Sequence, residues 1–230
     1  MGLWPSGDPS TRFRVRPARY SDIGALSRIY RAQTPASRRF YHPYPFDPVR
    51  LRALFAYMVT THRMIRRAMR WLPNWAWCLF VLEDARGGPV GLATIRFVRD
   101  DHEPEMWARF GFLVAEDRQR QGGGTLLVMT LYEKAMELGV RRGGGTILAE
   151  NVASAKVVEQ FGFNLRETPE VDRNAPGAKN LADIQDLRPV LERVRRLKEI
   201  RVAASSAAAR PTPGPSEAPR VAGPDRTSAG

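Results

Sequence analysis

The chain has 230 residues, 43% of them hydrophobic, so a single domain can bury a full core. Its longest apolar stretch, Trp75 to Leu82, falls far short of the ~20 residues a membrane-spanning helix requires. A formal net charge of +12 suits phosphate-bearing partners, whether a nucleotide, a nucleic acid or an anionic surface, without choosing among them. Cys78 is the only cysteine, which excludes an intramolecular disulfide, and the first residues lack the cationic, apolar and cleavage regions of a secretory leader. The expectation is a cytoplasmic protein without a membrane anchor.

Residues 1–10, with two prolines and two glycines, read as a flexible lead-in to a domain over residues 11–189. Phe13-Arg14-Val15-Arg16 alternates as a half-buried strand does, and Ser21 is placed to cap a helix that buries Ile23, Leu26, Ile29 and Tyr30. Proline and aromatic residues between Pro35 and Pro48 predict an irregular loop. From Asp47 the helical recurrence of Leu51, Leu54, Phe55, Met58, Ile65 and Met69 predicts a long helix, with Arg63, Arg66, Arg67 and Arg70 on one basic face. Trp75–Asp84 and Pro89–Val98 read as a hairpin about Ala85-Arg86-Gly87-Gly88, and Glu105–Val114 as a third strand. A helix to Leu138, a strand over Thr146–Glu150, a short helix to Phe161 and a strand from Phe163 complete the domain. This order describes an α+β fold with antiparallel hairpins first and a parallel crossover later. A basic helix over 190–203 and a disordered Ala/Ser/Pro/Gly tail over 204–230 follow.

The segment Gln119-Arg120-Gln121-Gly122-Gly123-Gly124-Thr125 carries the most chemistry. Glycines at a helix start let the backbone approach a ligand, and the unpaired N–H groups there point at anions; the other reading is a plain strand-to-helix turn. No lysine follows Gly124, which excludes a Walker A loop, and position 127 is Leu127, which breaks a dinucleotide fingerprint. The segment is similar to the Gln/Arg-x-x-Gly-x-Gly/Ala motif of the GNAT (GCN5-related) N-acetyltransferases. At the expected distance, Asn151-Val152-Ala153-Ser154 running to Phe161-Gly162-Phe163 resembles the family's second motif, in wording nearest to the ribosomal-protein and amino-terminal acetyltransferase branch.

That resemblance implies a mixed, largely antiparallel central sheet, splayed between its fourth and fifth strands and flanked by helices. It implies acetyl-CoA as co-substrate, an acetyl group passed to a primary amine, and no metal. Main-chain groups of Phe112, Leu113 and Val114 would hold the pantetheine arm, with an amide near Val114 polarising the thioester carbonyl. Gln119, Arg120, Gln121, Gly122, Gly123, Gly124 and Thr125 would hold the pyrophosphate. Asn151 either reaches the cofactor or caps the helix after it. Where the family often carries a glutamate base, this chain has Trp107, Ala108 and Arg109; Glu105 and Glu103 lie nearby in sequence, and His42 is an alternative base. Tyr41, His42 and Tyr44 stand where the family builds its acceptor pocket, or else cap the core as packing aromatics. The family's tyrosine acid position is Val158. These departures keep open an acyl-CoA-binding sensor that turns over weakly. The basic surface leaves open an acidic or RNA-containing partner, although no RNA-binding module is present.

Overall fold

The computed structural model describes residues 12–38, 40, 47–68, 76–98, 106–168 and 180–208. Expectations placed on Glu103, Glu105, His42, Tyr41, Tyr44, Met69 and Arg70 fall outside these residues.

β1 (Phe13–Pro17) leads through a 3-10 turn (Tyr20–Asp22) into α1 (Ile23–Arg31), a short α2 (Pro35–Arg38) and the long α3 (Pro48–Ala68). The antiparallel meander β2 (Trp77–Asp84), β3 (Pro89–Val98) and β4 (Trp107–Val114) comes next, and a 3-10 turn (Glu116–Arg118) leads to α4 (Gly123–Glu137). β5 (Arg142–Leu148), α5 (Val152–Glu159), β6 (Arg166–Thr168), β7 (Asn180–Asp186) and α6 (Leu187–Ala208) close the described chain. The seven strands form one sheet in the order β1-β2-β3-β4-β5-β7-β6, antiparallel except for β4 against β5.

The apolar runs of β2 and β3 are continuous because helices cover the sheet on both faces. Alternate residues therefore serve two cores. Phe80, Leu82, Ala93, Ile95 and Ala108 turn toward α4 and α6, where Leu127, Leu131, Tyr132, Leu187 and Val194 are buried. Leu79, Val81, Leu92 and Leu113 turn the other way, against Leu26 and Tyr30 of α1 and Leu51, Phe55 and Met58 of α3. Leu54, expected on the buried stripe, packs there half-buried.

Several local expectations are corrected. Ser21 lies inside the 3-10 turn and caps nothing. Asp22 closes that turn, accepting the Arg19 N–H at 2.7 Å. The stretch after Pro35 begins with the helical turn of α2. β5 starts at Arg142, not Thr146, so the triplet Gly143-Gly144-Gly145 is strand. β7 was not expected at all, and the strand after Phe163 is only the three-residue β6. The C-terminal helix begins at Leu187, with Leu187, Val190 and Val194 buried in the α4 core.

Arg16 ties β1 to the start of α1. Its guanidinium donates to both Asp22 carboxylate oxygens at 2.7 and 2.9 Å and to Glu83 Oε1 at 2.6 Å. These hydrogen bonds hold the Asp22 carboxyl below its usual range. A depressed carboxylate contributes stability above its unfolded pKa of about 3.9 and loses it as pH falls through the lower folded value. Asp22→Asn should therefore cost about 3 kcal/mol at pH 7, since it breaks a buried pair, and progressively less below about pH 4. Denaturant titrations at both pH values check this; an equal deficit at each would contradict it.

Candidate active site

β4 and β5 part company. β4 pairs with β3 along its whole length, Trp107–Val114 against Val98–Gly91, but meets β5 only from Trp107↔Arg142 to Arg109↔Gly144. Beyond that point β5 follows β7 to Leu148, and a wedge opens beside Phe110–Val114. The apex of the wedge is built by glycines and an aromatic. A Cβ on Gly143 would stand 2.5 Å from the Phe110 ring, which packs edge-on against Tyr132 at 5.1 Å. Tyr132 in turn stacks on Phe163 at 5.4 Å.

Pleat alternation decides which β4 groups face the wedge. The Leu113 carbonyl lies on the β3 side, 2.6 Å from where a Gly91 Cβ would be, so the main-chain groups of Phe112 and Val114 turn toward the wedge. Leu113 itself, 1% exposed, belongs to the α1–α3 core and offers the wedge neither side chain nor carbonyl.

The loop into α4 is braced from within. Gln119 Nε2 donates to Val114 O at 3.1 Å and Gln121 Nε2 to Asp117 O at 3.3 Å. Two residues take left-handed backbone, Arg120 at φ 58° and Gly122 at φ 88°. Gly122 then stands at the N-cap of α4 without any side-chain cap, and the first helical bond runs from Leu126 N to Gly122 O at 3.1 Å. The N–H groups of the first turn therefore have no intrahelical partner and carry the positive end of the helix dipole. Gly123 has a packing reason for lacking a side chain: its Cβ would stand 2.8 Å from Leu82 Cδ2.

A cleft of about 280 Å³ lies along this loop. Of the residues expected to hold a cofactor, Phe112, Val114, Gln119, Arg120, Gly122, Gly124, Thr125 and Asn151 line it, whereas Leu113, Gln121 and Gly123 do not. α5 supplies the opposite wall with Ala153, Lys156, Val157 and Gln160. Their i, i+3, i+4, i+7 spacing puts them on one helix face, a signal present in the sequence once the helix is placed. Gln160 Nε2 reaches Thr125 Oγ1 at 3.1 Å and joins the two walls. Asn151 caps α5, its Oδ1 accepting the Ser154 N–H at 3.2 Å, and it also lines the cleft.

Ser37 and Phe40 also line the cleft, and nothing local in the sequence points to them. Glu116 places them. Its carboxylate accepts from Thr34 N at 2.9 Å and Thr34 Oγ1 at 2.8 Å, so the chain entering α2 is tied to the loop entering α4. Hydrogen bonds from Ser37 and Thr34 hold the Glu116 carboxyl below its usual range.

The described lining carries two cations, Arg120 and Lys156, and neither a carboxylate nor a tyrosine. Ala108 is wholly buried in the α4 core, and Val158 is also buried there. Cys78 is buried too, its thiol pushed up to about 12 by burial, so it is no nucleophile. Among the described residues no cluster of three metal-ligating side chains occurs, and no helix is long and apolar enough to cross a membrane. On the proposed basic face of α3, Arg63 is exposed and stacks over the Tyr20 ring at 4.8 Å.

A strand pair that splays beside an uncapped helix start is a shared feature, and comparison with known proteins decides what shares it. The model of the acetyltransferase (GNAT) domain matches residues 12–164. The chain belongs to the GNAT acetyltransferase family. Acetyltransferase Pat of Mycolicibacterium smegmatis is 34% identical over 84 residues, which are 36% of this chain and 25% of that protein; the chain thus spans a quarter of that relative's length. The fold is shared with ribosomal-protein-S5-alanine acetyltransferase from Vibrio fischeri (TM-score 0.61, 15% identity, 76% of this chain and 93% of that one). It is shared equally with Mycobacterium smegmatis RimJ in complex with CoA-disulfide (TM-score 0.59, 21% identity, 81% of this chain and 89% of that one). The GNAT domain thus accounts for both motifs and for the wedge between β4 and β5.

Proposed function

We propose that this GNAT domain is an acetyl-CoA-dependent N-acetyltransferase that acts on a primary amine. The observation that carries the reading is the wedge: main-chain groups of Phe112 and the N–H of Val114, turned away from β3 and beyond the reach of β5, run directly up to the uncapped start of α4. Acetyl-CoA, as co-substrate, supplies an acetyl group activated as a thioester. The residues present suit it, because the left-handed Arg120 and Gly122 shape a concave loop whose cleft-lining residues include no carboxylate, and Arg120 and Lys156 match its phosphates. Phe112 offers a main-chain donor and acceptor to the amides of the pantetheine arm, and Val114 its N–H, its carbonyl being held by Gln119 Nε2. The Val114 N–H is placed to stabilise the oxyanion as the C–N bond forms and the C–S bond breaks.

The attacking amine must first lose a proton, and we assign that task to Glu105 or His42 on sequence grounds, with Tyr41, His42 and Tyr44 forming the acceptor wall. If Glu105 is the base, Glu105→Gln lowers kcat/KM by about 10²-fold at neutral pH while CoA affinity stays. If His42 is the base, the same loss appears in His42→Gln, and the wild-type rate levels off just above about pH 6.5. Near wild-type pH–rate profiles in both variants would exclude both residues.

Asn151 separates packing from binding. Asn151→Asp keeps a good cap and places a negative charge on the cleft. The melting temperature should hold while CoA affinity falls by about tenfold; unchanged affinity would remove Asn151 from the binding site.

The absence of a carboxylate and a tyrosine from the described lining favours one second reading, a CoA-binding module with little turnover. Release of free thiol from acetyl-CoA in the presence of an amine panel separates the two. Amine-dependent release supports the enzyme, and CoA binding without release supports the module. The enzyme reading extends to a cytoplasmic protein, whose single buried thiol forms no disulfide.

A further inference from the structure

The cleft has a third wall that the acetyl-transfer reading leaves unexplained. β4 with its loop and α5 supply two walls, and Ser37 and Phe40 supply the third. One carboxylate joins that wall to the cofactor loop. Glu116 opens the 3-10 turn that leads to Gln119, and it accepts from Thr34, 82 residues away, at 2.9 Å from the N–H and 2.8 Å from Oγ1. Ser37 adds a side-chain hydrogen bond to the same carboxylate. Thr34 also starts α2: its carbonyl accepts the Arg38 N–H at 2.8 Å, and the Ser37 carbonyl accepts the Phe40 N–H at 3.0 Å. Arg38 ties the segment back to the end of α1, its Nε donating to Gln33 O at 2.8 Å and its Nη2 to Arg31 O at 2.7 Å. α2 is thus anchored both to α1 and to the cofactor loop.

The charge on Glu116 separates two effects. A carboxylate beside a phosphate-binding loop repels the phosphate and lowers its affinity. An ionised acceptor also makes stronger hydrogen bonds than a neutral one, so the same charge strengthens the tether to Thr34. The two effects have opposite signs. Removing the carboxylate tightens cofactor binding if only its field matters, and weakens binding if the tether matters more.

We infer that Glu116 is a positioning residue for acetyl-CoA: by fixing α2 to the cofactor loop it holds Ser37 and Phe40 against the bound cofactor, and this wall adds more affinity than the carboxylate's charge removes. Glu116 does not line the cleft itself and acts through Thr34 and Ser37. Its bonds span two segments that meet only in the folded chain, so the wall keeps its place as long as the tether does. The inference rests on the acetyl-CoA reading above.

The test is calorimetric titration of acetyl-CoA into the full chain at one pH and salt concentration. Glu116→Ala should bind about tenfold more weakly than the wild type, although it removes a negative charge. Asp117→Ala is the control for charge: it removes a neighbouring carboxylate, paired with Arg118 at 3.4 Å, and should bind at least as tightly as the wild type. Glu116→Gln, whose amide oxygen still accepts from Thr34, should recover part of the loss. Phe40→Ala should also weaken binding by about tenfold. Because the tether acts through that wall, Glu116→Ala/Phe40→Ala should bind within about threefold of the weaker single variant, where independent effects would multiply to about 100-fold. Hydrogen exchange on the wild type needs no variant to fold: acetyl-CoA should slow the Thr34, Arg38 and Phe40 amides by about fivefold or more. A Glu116→Ala affinity at or above the wild type's, an equal loss in Asp117→Ala, no recovery in Glu116→Gln, multiplied effects in the double variant, or no added protection of α2 in the acetyl-CoA-bound wild type would overturn the inference. Failure of the wild-type protein to bind acetyl-CoA would instead overturn the acetyltransferase reading and this inference with it.

Discussion

Gly144→Ala should lower the melting temperature by roughly 6–12 °C, which corresponds to about 3 kcal/mol for a domain of this size. The added methyl would stand 1.8 Å from the Asp183 carbonyl oxygen and 2.9 Å from Ile184 Cα, both main-chain atoms of the adjacent strand β7. No rotamer change relieves that contact; β5 and β7 would have to separate within a ladder that runs unbroken from Arg142↔Asp186 to Leu148↔Asn180. The comparison variant is Gly24→Ala in α1, where the nearest atom is the flexible Arg28 Nη1 at 3.7 Å. There the expected change is a slight gain, because alanine restricts the unfolded chain at no steric cost. Thermal melts of the two variants side by side check the difference; equal melting temperatures would contradict the tight β5–β7 contact.

The same glycine shows where the sequence misleads. Gly143-Gly144-Gly145 reads as a break before a strand, because glycine is the commonest punctuation between elements. Here it is strand interior, required by close approach to Phe110 on one side and β7 on the other, a reason that exists only after the sheet has formed. β7 was missed for a related reason: Leu181-Ala182-Asp183-Ile184-Gln185-Asp186 carries little apolar alternation, and pairing with β5 and β6, more than burial, makes it a strand. Where burial dominates, the pattern was readable. The stripe Leu51, Phe55, Met58 and Ile65 places α3, and the bounds Pro89–Val98 for β3 come directly from its apolar run between turn residues.

The site divides in the same way. The glycine turn from β4 into α4 was legible because its ingredients are consecutive: glycines, a strand before and a helix after. The sequence could not tell which glycine faces the cleft and which faces Leu82, since that depends on the rotation of α4 over the sheet. Ser37 and Phe40 reach the cleft through the Glu116–Thr34 tether, a contact between segments far apart in the chain that no local pattern announces.

Gly124→Glu is the second large effect. Gly124 lies in the first turn of α4, and a Cβ there meets the Phe112 ring at 3.6 Å, an ordinary contact, so the fold admits a side chain. A glutamate in a first helical turn even favours the helix through its dipole. Gly122 would be a poorer test, because its φ of 88° strains any side chain whatever the ligand does. At position 124 the carboxylate enters the cleft beside the unpaired N–H groups and occupies the place proposed for phosphate, with charge of the wrong sign. Calorimetric titration of acetyl-CoA into the wild-type protein and into folded Gly124→Glu is therefore the decisive measurement. The wild type should bind one equivalent, and the variant, melting at or above the wild-type temperature, should bind about 10²- to 10³-fold more weakly. A folded Gly124→Glu that binds acetyl-CoA as tightly as the wild type, or a wild type that does not bind it, would contradict the placement of the cofactor in the β4–β5 wedge.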